Sequence, residues 1–144
     1  MLGCSSASRA AGASAPDADV SCTDDASQPD SYMANMAKPG AAGAMTFVLE
    51  RADPAPPGVY DNTWLLKLLD ASGQPIVDAT FPTIKTWMPL HGHPSSVAPT
   101  AAANGDGTYT IGLYLFMPGL WQITFDAQSG GQTDSAMFTF CVGQ

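Results

Sequence analysis

The sequence predicts an all-β protein, an immunoglobulin-like β-sandwich of about seven strands, from three observations. Apolar and polar residues alternate over short stretches, which is the period of a strand with one buried face. Clusters of Gly, Pro, Asn and Asp separate these stretches within roughly 100 residues, a spacing suited to two packed sheets joined by turns. No window holds an apolar stripe at helical spacing for three turns without Gly or Pro, so helix is nearly excluded.

Residues 1–21 are small and polar, include Asp17 and Asp19 and show no periodicity, and read as a disordered tether or lipoprotein-type linker. Residues 22–44 are rich in turn formers, through Pro29 and Pro39-Gly40, and carry Tyr32, Met33 and Met36. They read as an irregular arm packed across a domain edge, and the sandwich domain follows over 45–144. Met45 to Leu49 is the first expected strand. Asp53-Pro54-Ala55-Pro56-Pro57-Gly58 ends it, because proline removes a donor and fixes φ. Thr63 to Leu69 is the second, and Asp70-Ala71-Ser72-Gly73-Gln74 turns into Pro75 to Phe81, an edge strand holding Ile76, Val77 and Ala79.

Thr83 to Met88 makes a fourth strand and enters a loop centred on Pro89-Leu90-His91-Gly92-His93-Pro94. That loop runs on through Pro99 to Asn104-Gly105-Asp106-Gly107, a strong hairpin signal. Thr108 to Phe116 alternates and is rich in aromatic and β-branched residues, as a central strand is. Met117-Pro118-Gly119 breaks it, and Leu120 to Phe125 resumes with Trp121, Ile123 and Phe125 on one face. Gly130-Gly131 turns the chain into Ala136 to Val142, where Phe138 and Phe140 share a face.

The chain has 144 residues, which fits one domain with an extension. Its 13 acidic residues against five basic ones leave a net charge of −8, and the basic residues Arg9, Lys38, Arg51, Lys67 and Lys85 are scattered. Nucleic acid is therefore excluded as a partner, and so is an anionic membrane surface. Apolar residues make up 45% and charged ones only 12%, a composition that can pack a core. No apolar run reaches the ~18 residues of a membrane-spanning helix.

The opening Met1-Leu2-Gly3-Cys4-Ser5-Ser6 resembles the end of a bacterial lipoprotein signal, in which a cysteine after small residues receives lipid. Under that reading Cys4 is the one membrane attachment, and the domain works in the bacterial periplasm or cell envelope. Cys22 and Cys141 are then expected to be oxidised to each other, stapling the start of the ordered region to the last strand. A metal site built on both thiolates is the alternative, and it lacks a close Cys-x-x-Cys spacing.

Both histidines of the chain fall in His91-Gly92-His93, and an extended Gly92 would let their imidazoles face one point. Met88 stands three positions ahead, and Met117 occupies the break after the central strand. Imidazole and thioether together select soft or borderline metals, copper above all, whereas calcium and magnesium favour oxygen. A packing reading stands beside it: Met88 as core filler, Met117 as a plug beneath a turn, and Trp87 and Trp121 as sandwich contents or as walls of the site. Met33 and Met36 offer further thioethers if the arm folds over the loop end. No nucleophile is placed beside a base, and no phosphate-binding, dinucleotide or metalloprotease motif occurs, so no enzyme is expected.

The stretch Thr86-Trp87-Met88-Pro89-Leu90-His91-Gly92-His93, then Gly107-Thr108-Tyr109 and Leu115-Phe116-Met117-Pro118-Gly119-Leu120-Trp121, resembles the YtkA-like family of small exported bacterial domains, relatives in fold of the FixH-like proteins. The likeness runs from about Asn62 to Phe140. It implies an immunoglobulin-like sandwich outside the cytoplasm that handles copper, with Met88, His91 and His93 on the first motif and Met117 on the second. Leu90 and Pro94 depart from the family pattern, which has a polar residue before the first histidine and often a glycine after the second. The expectation is thus a non-catalytic copper-binding protein that prefers Cu(I), holds it through Met88, His91, His93 and Met117, and buffers it or passes it to a copper-receiving envelope protein. The competing expectation is a structural or protein-interaction module without metal.

Overall fold

The computed structural model describes Cys22 and residues 28–143. The expected tether, with Cys4, lies outside the described residues. Eight strands form among the described residues: β1 (Met36–Pro39), β2 (Met45–Asp53), β3 (Tyr60–Asp70), β4 (Thr80–Trp87), β5 (Thr100–Ala103), β6 (Thr108–Leu115), β7 (Gly119–Ser129) and β8 (Gln132–Val142). All neighbours pair antiparallel, in a five-stranded sheet ordered β1-β2-β3-β6-β5 and a three-stranded sheet ordered β4-β7-β8. With β2-β3-β6-β5 facing β4-β7-β8, this is an immunoglobulin-like sandwich to which β1 adds an edge.

Alternation builds the core. Trp64, Leu66 and Leu68 of β3 point inward, and so do Trp121, Ile123 and Phe125 of β7 and Phe138 and Phe140 of β8. Trp64 crosses the gap between the sheets: its ring lies 5.5 Å from Phe140, 6.1 Å from Phe125 and 6.3 Å from Phe138, edge-on to Phe138 and Phe140.

Two strands differ from expectation. Pro75 to Ala79 is a loop, and Pro75 contributes only an isolated bridge to Leu69. Its backbone groups are satisfied singly rather than by a ladder: the Ile76 N–H donates to the Leu68 carbonyl at 2.9 Å, and the Tyr109 hydroxyl donates to the Ile76 carbonyl at 2.5 Å and accepts the Ala79 N–H at 3.0 Å. Burial pushes the Tyr109 phenol up, which keeps it a donor. The strand that follows is one piece, β4, and its register with β7 slips between Thr80 and Thr83, at Pro82, which has no N–H to give. The second difference is β5, Thr100–Ala103, within the expected loop; all four of its residues are exposed, so no alternation marked it.

The arm is more regular than its composition suggests, and it joins both sheets. β1 pairs with β2, while Asp30 reaches the other sheet: its N–H donates to the Thr139 carbonyl at 2.6 Å and its carboxylate accepts the Thr139 N–H at 2.8 Å. Lys38 completes the link, with Nζ 2.7 Å from the Asp30 carboxylate and 2.8 Å from the Met137 carbonyl. Cys22 is disulfide-bonded to Cys141 at a Cα separation of 5.3 Å, across 119 residues. Beyond β1, the buried carboxylate of Asp134 accepts the N–H groups of Ala42, Ala44 and Met45 at 2.7, 2.8 and 2.9 Å. Gly40 passes so close that a Cβ there would run into that carboxylate. Burial alone would raise the Asp134 pKa, but the amides of Ala42, Met45, Ser135 and Ala44 outweigh it and hold the carboxyl below its ordinary 3.8.

Reduction of the Cys22–Cys141 bond, or its removal by Cys141→Ser, is expected to destabilise the fold by roughly 4 to 5 kcal/mol on the loop-entropy estimate, read as a lower urea midpoint. Asp134 contributes stability that is present in full above its unfolded pKa and is lost as pH falls from about 4 through its lowered folded value. Asp134→Asn is therefore expected to cost about 2 to 3 kcal/mol at pH 7 and to flatten the acid limb of the stability profile below pH ~4, measured by denaturation at stepped pH.

Candidate metal centre

The pairing registers place several connections at one end of the sandwich. β2, β4, β6 and β8 finish there, and β3 and β7 begin there. The 88–99 loop and the Met117-Pro118-Gly119 corner, distant in sequence, therefore meet at this end.

The histidine loop is a tight closed turn. Met88 and His93 form an antiparallel bridge, with the Met88 N–H donating to the His93 carbonyl at 2.9 Å. The Met88 carbonyl accepts the N–H groups of His91 at 3.1 Å and Gly92 at 2.7 Å. Gly92 has φ +75°, a left-handed conformation that a residue with Cβ adopts only under strain. The backbone is thus bent rather than extended at Gly92, and the imidazoles come within 5.7 Å of each other, centroid to centroid, by that route. Ser95 fastens the far side of the loop: its N–H donates to Thr86 Oγ1 at 3.1 Å and its hydroxyl donates to the Tyr114 carbonyl of β6.

The second motif turns between β6 and β7, where Pro118 precedes Gly119, the first residue of β7. The chain crosses to the other sheet through Phe116, Met117 and Pro118, and the Met117 carbonyl accepts the Trp121 indole N–H at 2.9 Å. Phe116 stacks on His93 at 5.5 Å and 29°, and Trp121 meets the same imidazole edge-on at 6.3 Å. His93 Nδ1 lies 3.0 Å from the Pro94 carbonyl. A carbonyl only accepts, so Nδ1 carries the proton in this bond and Nε2 of the neutral ring keeps its lone pair.

The four sequence-predicted residues fall at graded depth. Met88 is fully buried in the core, and its bridge puts it on the same side of the ribbon as His93. His93 is half-buried and lies against Met117, which packs partly buried on the core. His91 is outermost and exposed. Trp121 is fully buried beside His93, whereas Trp87 sits on the outer face of β4 under the Lys85 ammonium, 5.1 Å from its ring centre. Met33 is exposed and Met36 packs on the core from β1.

Sequence reasoning did not single out Phe116 or Ser95. Phe116 had one legible signal, an aromatic at the strand end directly before the Met-Pro-Gly break; Ser95 had none. No Asp, Glu, Lys or Arg occurs over residues 86–105 or 107–125, so the segments that carry the two histidines and Met117 are uncharged in a chain of net charge −8. Among the described residues, no three His, Cys, Asp or Glu side chains gather into a cluster, so a metal site here would draw on methionine sulfur.

A family model described as YtkA-like matches residues 41–126, more than half of the chain, and spans both histidines, Met88 and Met117. The match starts earlier than the likeness at Asn62 suggests, at the turn after β1, and ends within β7. Comparisons with curated proteins and with solved structures return no significant match. Family and fold together are those of a non-catalytic domain. The β-sandwich and the two motifs at its loop end agree with that match, and the chain belongs to the YtkA-like family.

Proposed function

We propose that this domain binds copper in the bacterial cell envelope, as Cu(I), and buffers it or hands it to a copper-receiving envelope protein. The observation that carries the reading is the meeting of His93 with Met117, two motifs far apart in sequence, with Nδ1 engaged and the Nε2 lone pair left for a metal. The donor set fits the ion. Imidazole and thioether are soft or borderline ligands, and no carboxylate of the 86–105 or 107–125 segments competes for a hard cation. Thioether binds without deprotonation, so uptake through Met117 releases no proton.

His93 and Met117 would be the inner donors, His91 the exposed one through which the ion enters or leaves, and Met88 the donor at the base. Phe116 and Trp121 would keep water from the inner side. The envelope location draws on the family and on the disulfide, which persists in an oxidising compartment. No helix among the described residues is long and apolar enough to cross a membrane, and attachment would come from lipid on Cys4. The second reading, a structural or protein-interaction module without metal, draws on the full burial of Met88 in the core.

Anaerobic titration with Cu(I) against a chromophoric chelator tests the choice. The expected result is one equivalent bound by the wild type, with affinity falling more than about tenfold in Met117→Ala and in His93→Ala. A folded sample that never competes with the chelator would reject the copper reading in favour of the module.

A further inference from the structure

We infer that Trp121 is the positioning residue of the His/Met site: its indole N–H holds the Met117 carbonyl, and so places the Met117 thioether beside His93. This rests on the copper reading above. Met117 lies outside any strand, in the crossing from β6 to β7, where its carbonyl has no ladder partner. The donor it has is Trp121 Nε1, at 2.9 Å. Trp121 itself cannot drift, because it is fully buried on the inner face of β7 and paired in register with Phe140 of β8. The same ring lies 5.9 Å from Phe116 and 6.3 Å from His93. One buried indole therefore touches the backbone of one proposed ligand, the ring of the other, and the phenyl that stacks on it. The Met-Pro-Gly-x-Trp spacing carries this role, since four residues bring the indole back to the carbonyl that precedes the proline.

A double-mutant cycle read by Cu(I) affinity tests this inference. Trp121→Phe keeps an aromatic ring and removes the N–H. It is expected to weaken Cu(I) by about tenfold, the usual scale for a group that orients a ligand. Met117→Ala should then cost less than about threefold in the Trp121→Phe background, against more than about tenfold in the wild type, because a misplaced thioether has little left to lose. Equal penalties for Met117→Ala in both backgrounds would overturn the inference while leaving the copper reading intact. Absence of binding by the wild type would overturn both. If Trp121→Phe does not fold, benzothienylalanine at position 121 keeps the bicyclic shape and replaces the N–H by sulfur, and the same non-additivity is expected of it.

Discussion

The packing of Trp64 between the sheets governs how the two layers of this protein meet. It projects from β3 of the larger sheet onto Phe125, Phe138 and Phe140 of the smaller one, and so sets how the two layers face each other. Close-packed interiors tolerate little change in volume, so a large ring at the centre fixes the positions of the strands around it. Trp121 belongs to the same inward row of β7 as Phe125. The core that holds the sandwich together therefore runs without a break into the floor of the candidate metal centre.

An open sandwich leaves edges, and this chain closes one side with its N-terminal arm. The arm is held by chemistry of three kinds: a ladder to β2, a carboxylate and backbone link from Asp30 to Thr139, and the Cys22–Cys141 bond. Asp134 adds a fourth tie where the arm turns back into β2. A buried carboxylate left alone would be costly, but with several amides aimed at it the charge is solvated by the backbone. Apart from the ladder to β2, these ties lie on β8 or reach it, so the last strand depends on the first described residues of the chain.

At the loop end, polar groups and aromatic rings divide the work. Backbone bonds around Met88 and the contacts of Ser95 shape the histidine loop, and the rings of Phe116 and Trp121 orient His93 within it. The absence of charged side chains from the surrounding segments leaves soft donors as the distinctive chemistry of that end.

Much of the fold was legible in the sequence because strand patterning is local. Alternation in Thr108–Leu115 and around Trp121 marked the central strands, and Gly130-Gly131 marked the hairpin between β7 and β8. Cys22 and Cys141 were legible as a pair because an oxidising compartment would join them, and the alternative, a thiolate metal site, lacked a close Cys-x-x-Cys spacing. β1 and β5 were not legible: each is four residues long, and its strand character comes from the neighbour it pairs with rather than from its own side chains. Pro75–Ala79 misled for the opposite reason, since its apolar residues resemble a strand while its backbone makes single bonds, two of them to the distant Tyr109 hydroxyl, in place of a ladder.

The same division holds for the candidate site. The histidines and methionines, their Pro-Gly surroundings and the family resemblance are all legible along the chain. The burial of Met88 in the core with His91 left in solvent, the bend at Gly92 and the flanking of one imidazole by Phe116 and Trp121 emerge only in the folded protein. Those outcomes depend on how two sheets stack and which loops share an end, and contacts between residues so far apart in the chain leave no trace in local periodicity.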